Sequence, residues 1–158
     1  VLASKELALD QHATYGEIQK KLSLIGSDLL IESLKNIEND KAKFIDQVHS
    51  DSTYAKKIDK NETKIDWSLD ANKVIAHIHG LSPNPGAWFE HETERFKVLR
   101  ANKSAASGNP GTLLDENLTI ACKSDSIQIL EIQRQGKNKQ ATKDFLLGKK
   151  ISKGSILT

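Results

Sequence analysis

The sequence predicts an α+β chain built from two unlike parts: an incomplete α/β unit, then a polar linker, then a small β-barrel or sandwich. Three observations carry this reading. Apolar residues recur at helical spacing from Ile18 to Leu34. Residues 41–61 are polar and charged, with few apolar positions. From Ala87 onward, short alternating runs are separated by turn signals.

At the front, Val1, Ala3, Leu7 and Leu9 alternate weakly with polar residues, as a strand would, and Asp10-Gln11-His12 turns the chain. Thr14-x-x-Glu17 is a capping box, in which hydroxyl and carboxylate accept from free amides at a helix start. Ile18, Leu22, Ile25, Leu29, Leu30 and Leu34 then form one apolar face, with Gly26 as a point of bending and Asn39-Asp40 as the end. A strand followed by a long helix is half of an α/β unit. Its apolar face needs a sheet that this chain does not supply, so an upstream domain is expected. Val at position 1 and the absence of Met fit a trimmed piece of a longer protein.

The second half is expected to open with a helix over 66–81, capped by Ser68 or Asp70, with Val74, Ile75, Ile78 and Leu81 on its apolar face. Gly80 and Pro83 stop it. Strands are expected over 87–92, 95–102, 111–114, 118–122 and 126–133, divided by turns such as Ser107-Gly108-Asn109-Pro110 and Ser124-Asp125. A short helix over 142–147 ends at Gly148, and residues 151–157 supply a closing strand.

A chain of 158 residues fits one domain, or one small domain plus part of another. No apolar run approaches the ~20 residues of a membrane helix, and no signal-peptide pattern opens the chain. The single cysteine, Cys122, sits in an apolar run and reads as a packed residue, so a cytoplasmic, reducing compartment is expected. Net charge is only +2, but it is unevenly spread: residues 134–153 hold Arg134, Lys137, Lys139, Lys143, Lys149, Lys150 and Lys153 against Asp144 alone. A local field of that sign attracts polyanions, although surface lysines also commonly serve only as a solvated face.

No metal-ligand spacing is found among His12, His49, His77, His79 and His91; His77 and His79 would point about 200° apart on a helix. No phosphate-binding glycine loop or nucleophile motif is present. Asp115-Glu116 reads as a solvated turn, and Asp66 as an acceptor for backbone amides. Trp67 and Trp88 read as core anchors. No aromatic interleaves with the lysines of 134–153, and Phe145 fits a helix core, so a duplex or folded RNA backbone is favoured over base stacking.

Tyr54-Ala55-x-Lys57-Ile58, then Ile65-Asp66-Trp67, then Pro83-x-Pro85-Gly86-Ala87-Trp88 resembles the junction between the two domains of methionyl-tRNA formyltransferases. Arg95 to Ala101, Pro110-Gly111-Thr112, Leu130-Glu131-Ile132-Gln133 and Asp144-Phe145-Leu146 continue the resemblance. One departure is Asn84, where the family usually carries Trp. The resemblance implies that residues 1–46 end a Rossmann-like catalytic domain, 47–64 are a linker, and 65–158 are an OB-fold-like barrel that binds tRNA. It further implies an enzyme, monomeric at full length, that transfers a formyl group from 10-formyltetrahydrofolate to methionyl initiator tRNA. The family's catalytic Asn, His and Asp have no counterpart here. This part would bind neither folate nor metal, and would hold the tRNA with the cations of 134–153, joined by Lys56, Lys57 and Lys64. Two other readings stand beside it: part of a small-substrate formyltransferase or formyltetrahydrofolate hydrolase, and a free-standing RNA-binding barrel.

Overall fold

The computed structural model describes all 158 residues, in two compact units, Val1–Lys57 and Ile58–Thr158. The division falls inside the expected linker.

The first unit is dominated by helix α1, Tyr15–Glu38. Its start is the expected capping box: Glu17 N–H donates to Thr14 Oγ1, and Thr14 N–H donates to Glu17 Oε2 at 2.8 Å. The helix continues through Gly26 without a break. None of its residues is buried, and Leu22, Leu30 and Leu34 of the apolar face are 48%, 60% and 56% exposed. The strand expected over residues 1–9 does not form. A strand's amides and carbonyls need a neighbouring strand, and this unit contains none. The unit therefore consists of one amphipathic helix, a short 3₁₀ turn at His49–Asp51 and irregular chain, and it does not display the Rossmann-like end expected of residues 1–46.

The second unit begins with a 3₁₀ turn, Lys60–Thr63, capped by Asp59 and Glu62. Helix α2, Ala71–Leu81, starts later than expected. The Asp66 carboxylate accepts from the backbone N–H and hydroxyl of Ser68, which holds residues 66–68 in a turn. Asp70 occupies the N-cap position, but its carboxylate accepts from the Ser124 hydroxyl at 2.9 Å. Ala71 N–H donates to Ser124 O, so the helix start is tied to a distant turn.

Five strands follow: β1 Ala87–His91, β2 Glu94–Ser104, β3 Thr119–Ala121, β4 Ser126–Arg134 and β5 Lys139–Ala141. Helix α3, Thr142–Gly148, forms where a short helix over 142–147 is expected and is the last regular element, because the closing strand expected over 151–157 does not form. All pairings are antiparallel, in the order β1-β2-β4-β3, with β5 beside the far half of β4. β5 is an element the sequence does not announce: three residues are too short to show alternation.

The expected closed barrel is an open sheet. Its two missing strands, 111–114 and 151–157, shrink to isolated bridges at Thr112–Ile156 and Leu113–Ile120. Pro110 has no N–H to donate, and Gly111 and Gly154 take φ values of +80° and +87°, so neither stretch can sustain a ladder. These segments still occupy the sheet edges. Thr158 exchanges backbone hydrogen bonds with Glu90 of β1, and Ala121 of β3 donates to Thr112 O. Edge amides are thereby satisfied without a continuous strand.

The core lies between one sheet face, α2 and α3. Phe89 stacks on Phe96 at 5.4 Å, Phe145 meets Phe96 edge-on at 5.9 Å, and Trp67 tilts against Phe89 at 6.1 Å. Val74, Ile78, Ile129 and Ile132 fill the remainder. A bulge at Leu99 buries both Val98 and Leu99, which strict alternation would forbid. Cys122 is buried, and burial raises its thiol pKa to about 11, so it is inert at neutral pH.

His91 pairs with Glu94 across a two-residue loop in which Glu92 and Thr93 both have positive φ, 49° and 63°. Such loops prefer Asn-Gly, because a β-branched residue is strained there. Thr93→Gly is expected to stabilise the second unit by about 1 kcal/mol, read as a raised urea midpoint with an unchanged m-value; a lowered midpoint would show that the turn is not strained.

Candidate nucleic-acid interface

The cations singled out in the sequence divide into two groups. Arg134 ends β4 and Lys149 caps α3, and both reach Glu94, at the start of β2. Arg134 Nε donates to Glu94 Oε1 at 2.7 Å and Lys149 Nζ to Glu94 Oε2 at 2.6 Å. The Lys149 ammonium also lies 5.3 Å from the centre of the Phe96 ring. Hydrogen bonding to Arg134, then to Lys149, holds the Glu94 carboxyl below the ordinary glutamate range. The side chains are 35%, 22% and 24% exposed for Arg134, Lys149 and Glu94, so this is a half-sheltered clamp joining the β1–β2 hairpin, β4 and α3. Much of the charge of these two cations is already answered.

Lys137, Lys143, Lys150 and Lys153 are exposed, outside any carboxylate ion pair. They surround α3. A pocket of about 350 Å³ is lined by Arg134, Lys137, Asp144, Phe145 and Lys149. Another of about 310 Å³ is lined by Glu116, Leu146, Lys150 and Lys153. Lys143 borders a third beside Leu146. Lys139, on β5, is exposed and lies 3.6 Å from Glu131. Lys56 and Lys57 are exposed in the first unit, whereas Lys64 is in the second, its ammonium 5.5 Å from the Trp88 ring centre.

Sequence reasoning missed Arg95, Lys97 and the setting of Trp88. Trp67 is a core anchor, as expected, at 6% exposure. Trp88 instead faces away from the core, with Nε1 donating to Thr63 Oγ1 at 2.9 Å. The Arg95 guanidinium carbon lies 3.7 Å from its ring centre. The alternation of Ala87 and Phe89 with Trp88 and Glu90 is the signal that places Trp88 outside.

Asp115 accepts from Asn117 and Thr119 N–H, as a turn carboxylate does. Nowhere do three His, Cys, Asp or Glu side chains gather in a metal-holding group. His79 is buried and accepts from Ala101 N–H at 3.3 Å.

These features define a small antiparallel α+β domain with a basic surface around its last helix. The chain belongs to the formyl transferase C-terminal domain family, which it matches over residues 57–150. It is 42% identical over 152 residues to a methionyl-tRNA formyltransferase of Rhodopseudomonas palustris, covering 94% of this chain and 49% of that protein. To those of Bradyrhizobium diazoefficiens and Pelagibacter ubique it is 40% and 44% identical, covering 52% and 46% of their lengths and 100% and 89% of its own. The chain thus spans about half the length of the curated relatives it matches. In fold it is similar to HypX from Aquifex aeolicus, with a TM-score of 0.67 at 19% identity over 96% of this chain and 31% of that one. A HypX structure in complex with tetrahydrofolic acid matches with a TM-score of 0.60 at 18% identity, over 83% of this chain and 26% of that one. No helix is long and apolar enough to cross a membrane.

The titrating groups make two outcomes measurable. Because the native pKa of Glu94 is depressed, its clamp stabilises in full above the ordinary glutamate value and is lost below it, as pH falls through the lowered native pKa. Glu94→Ala is expected to cost about 1–2 kcal/mol at neutral pH and nothing at strongly acidic pH, checked by chemical unfolding across pH. His77 has its pKa lowered by burial, partly offset by hydrogen bonding to the Thr63 and Lys64 backbone. The unfolded chain then takes the proton first, so stability declines as pH drops below the usual histidine value. In His77→Gln that part of the decline is expected to vanish, and an unchanged pH profile would remove His77 as its source.

Proposed function

We propose that this chain is the tRNA-positioning part of a methionyl-tRNA formyltransferase, the enzyme that moves a formyl group from 10-formyltetrahydrofolate to the amino group of methionyl initiator tRNA. The observation that carries the proposal is the conjunction of the family match with the four exposed lysines around α3. Phosphate contacts supply affinity and register without reading sequence, which suits a part that orients one large polyanion. Binding energy gathered here is spent on bringing the acceptor end to a distant site.

The transfer itself belongs to the other half. No residue of this chain is assigned a catalytic role, folate contacts are assigned elsewhere, and no metal is invoked. The bare apolar face of α1 supports reading residues 1–46 as the end of a Rossmann-like domain whose sheet would cover it. The cytoplasm, where charged tRNA is made and used, is the compartment this function requires.

The test is a titration of the 158-residue chain with folded initiator tRNA at several salt concentrations. Combined Lys137→Ala, Lys143→Ala, Lys150→Ala and Lys153→Ala changes are expected to weaken binding and to reduce the log–log salt slope by about 3, at roughly 0.7–0.9 for each phosphate no longer neutralised. Unchanged affinity and slope would refute this surface as the tRNA site. Absence of tRNA binding by the parent chain at low salt would instead favour a formyltransferase of small substrates.

A further inference from the structure

The outer face of the sheet carries a second, different kind of surface. Strand register brings five side chains from distant parts of the sequence into one row. Lys64 bridges to Trp88, Trp88 pairs with Lys97, Lys97 with Gln133, and Gln133 with Lys139. Directly paired residues share a face, and neighbouring strands lie about 4.8 Å apart, so the row spans roughly 19 Å. Between Lys64 and Lys97 in the row, the Trp88 indole is fixed by its hydrogen bond to buried Thr63 and stacked beneath the Arg95 guanidinium at 3.7 Å. Glu90 Oε1 holds that guanidinium at 3.4 Å. The Lys97 stem crosses Gly86, where a Cβ would lie 2.9 Å from Lys97 Cδ. Arg95, Lys97, Gln133 and Arg134 line a concavity of about 300 Å³ beside the row. Two carboxylates face this surface, Glu90 and Glu131, and each is matched by its own cation, Arg95 and Lys139. Lys64 and Lys97 remain as surplus positive charge.

We propose that this row is a platform for unpaired RNA nucleotides, with a base stacked on the Arg95–Trp88 pair and phosphates held by Lys64 and Lys97. A planar guanidinium over an indole offers a rigid π-surface that any unstacked base can meet, and flanking amines follow the backbone. A duplex keeps its bases stacked on one another and cannot use that plane, so the platform selects single-stranded segments. The lysines around α3 hold helical backbone by charge alone, whereas this face adds stacking. The inference rests on the reading of the chain as an RNA-binding part and extends it to a second surface of different chemistry.

The experiment uses the 158-residue chain with a dodecauridylate and, separately, an RNA duplex of equal phosphate number. The single strand is expected to bind with a change in tryptophan emission. Trp88→Ala should weaken that binding about 10-fold or more without altering the salt slope, and Lys64→Ala with Lys97→Ala should lower the slope by about 1.4. Duplex affinity should be untouched by Trp88→Ala. Thermal unfolding monitors whether each variant folds. Arg95 is exposed, so Arg95→Ala keeps the core intact and decides the matter if Trp88→Ala does not fold: it should cost several-fold on the single strand alone. Wild-type affinity in both variants, equal losses on duplex and single strand, or no binding of dodecauridylate at low salt would overturn the platform. None of those results touches the tRNA reading, which stands or falls on folded tRNA and the four lysines around α3.

Discussion

The two-residue repeat of β1, β2 and β4 is the constraint on which the rest of the second unit depends. Phe89 and Phe96 must point inward to stack, and Ile132 must follow into the same core as Phe145. Each fully buried side chain of that size contributes about 1.5–3 kcal/mol, and a slip of one residue would send all of them into water. Burial on one face therefore dictates the other. With Phe89 and Phe96 inside, Trp88, Arg95 and Lys97 have no choice but the outer surface. The chemistry of the outer row is a by-product of hydrophobic register, which makes its geometry as firm as the core.

Charge is organised around the same frame. Glu94 lies beside the turn of the hairpin and draws in Arg134 and Lys149, so two of the seven cations of residues 134–153 act as fasteners. Lys149 could not serve equally as a mobile phosphate ligand, because its ammonium is held between a carboxylate and the face of Phe96. The lysines left outside ion pairs sit on α3 and the segments flanking it, whose position the clamp secures. Fastened and free cations thus have different work, although composition counts them alike.

The first unit obeys a different rule. Helix α1 forms through its cap and periodicity, yet buries none of its residues. A helix of this amphipathic kind normally gains its stability by packing its apolar stripe. Its stripe faces outward in this unit, and the curated relatives of the chain are about twice as long.

Much of the fold was legible in the residues because it is locally encoded. The capping box at Thr14 and Glu17, the apolar spacing of α2, the Gly148 stop of α3, the β1–β2 hairpin and the long β4 each carry their own signal within a few positions, and the motifs around Ile65-Asp66-Trp67 and Pro83-x-Pro85-Gly86 pointed to the right family. The strand expected over residues 1–9 failed because alternation alone supplies no partner for backbone groups. The barrel remained open because positive-φ glycines and Pro110 break up the stretches meant to close it, a property of ladders rather than of single segments. The surface was only half visible. A run of lysines can be counted in a sequence, but pairing with Glu94 is an encounter across 40 residues for Arg134 and 55 for Lys149. Lys64, Trp88, Lys97, Gln133 and Lys139 become neighbours only once the strands choose their register. Composition and local pattern determined which elements and which family; the long-range pairing of strands decided which charges are spent inside the fold and which face outward together.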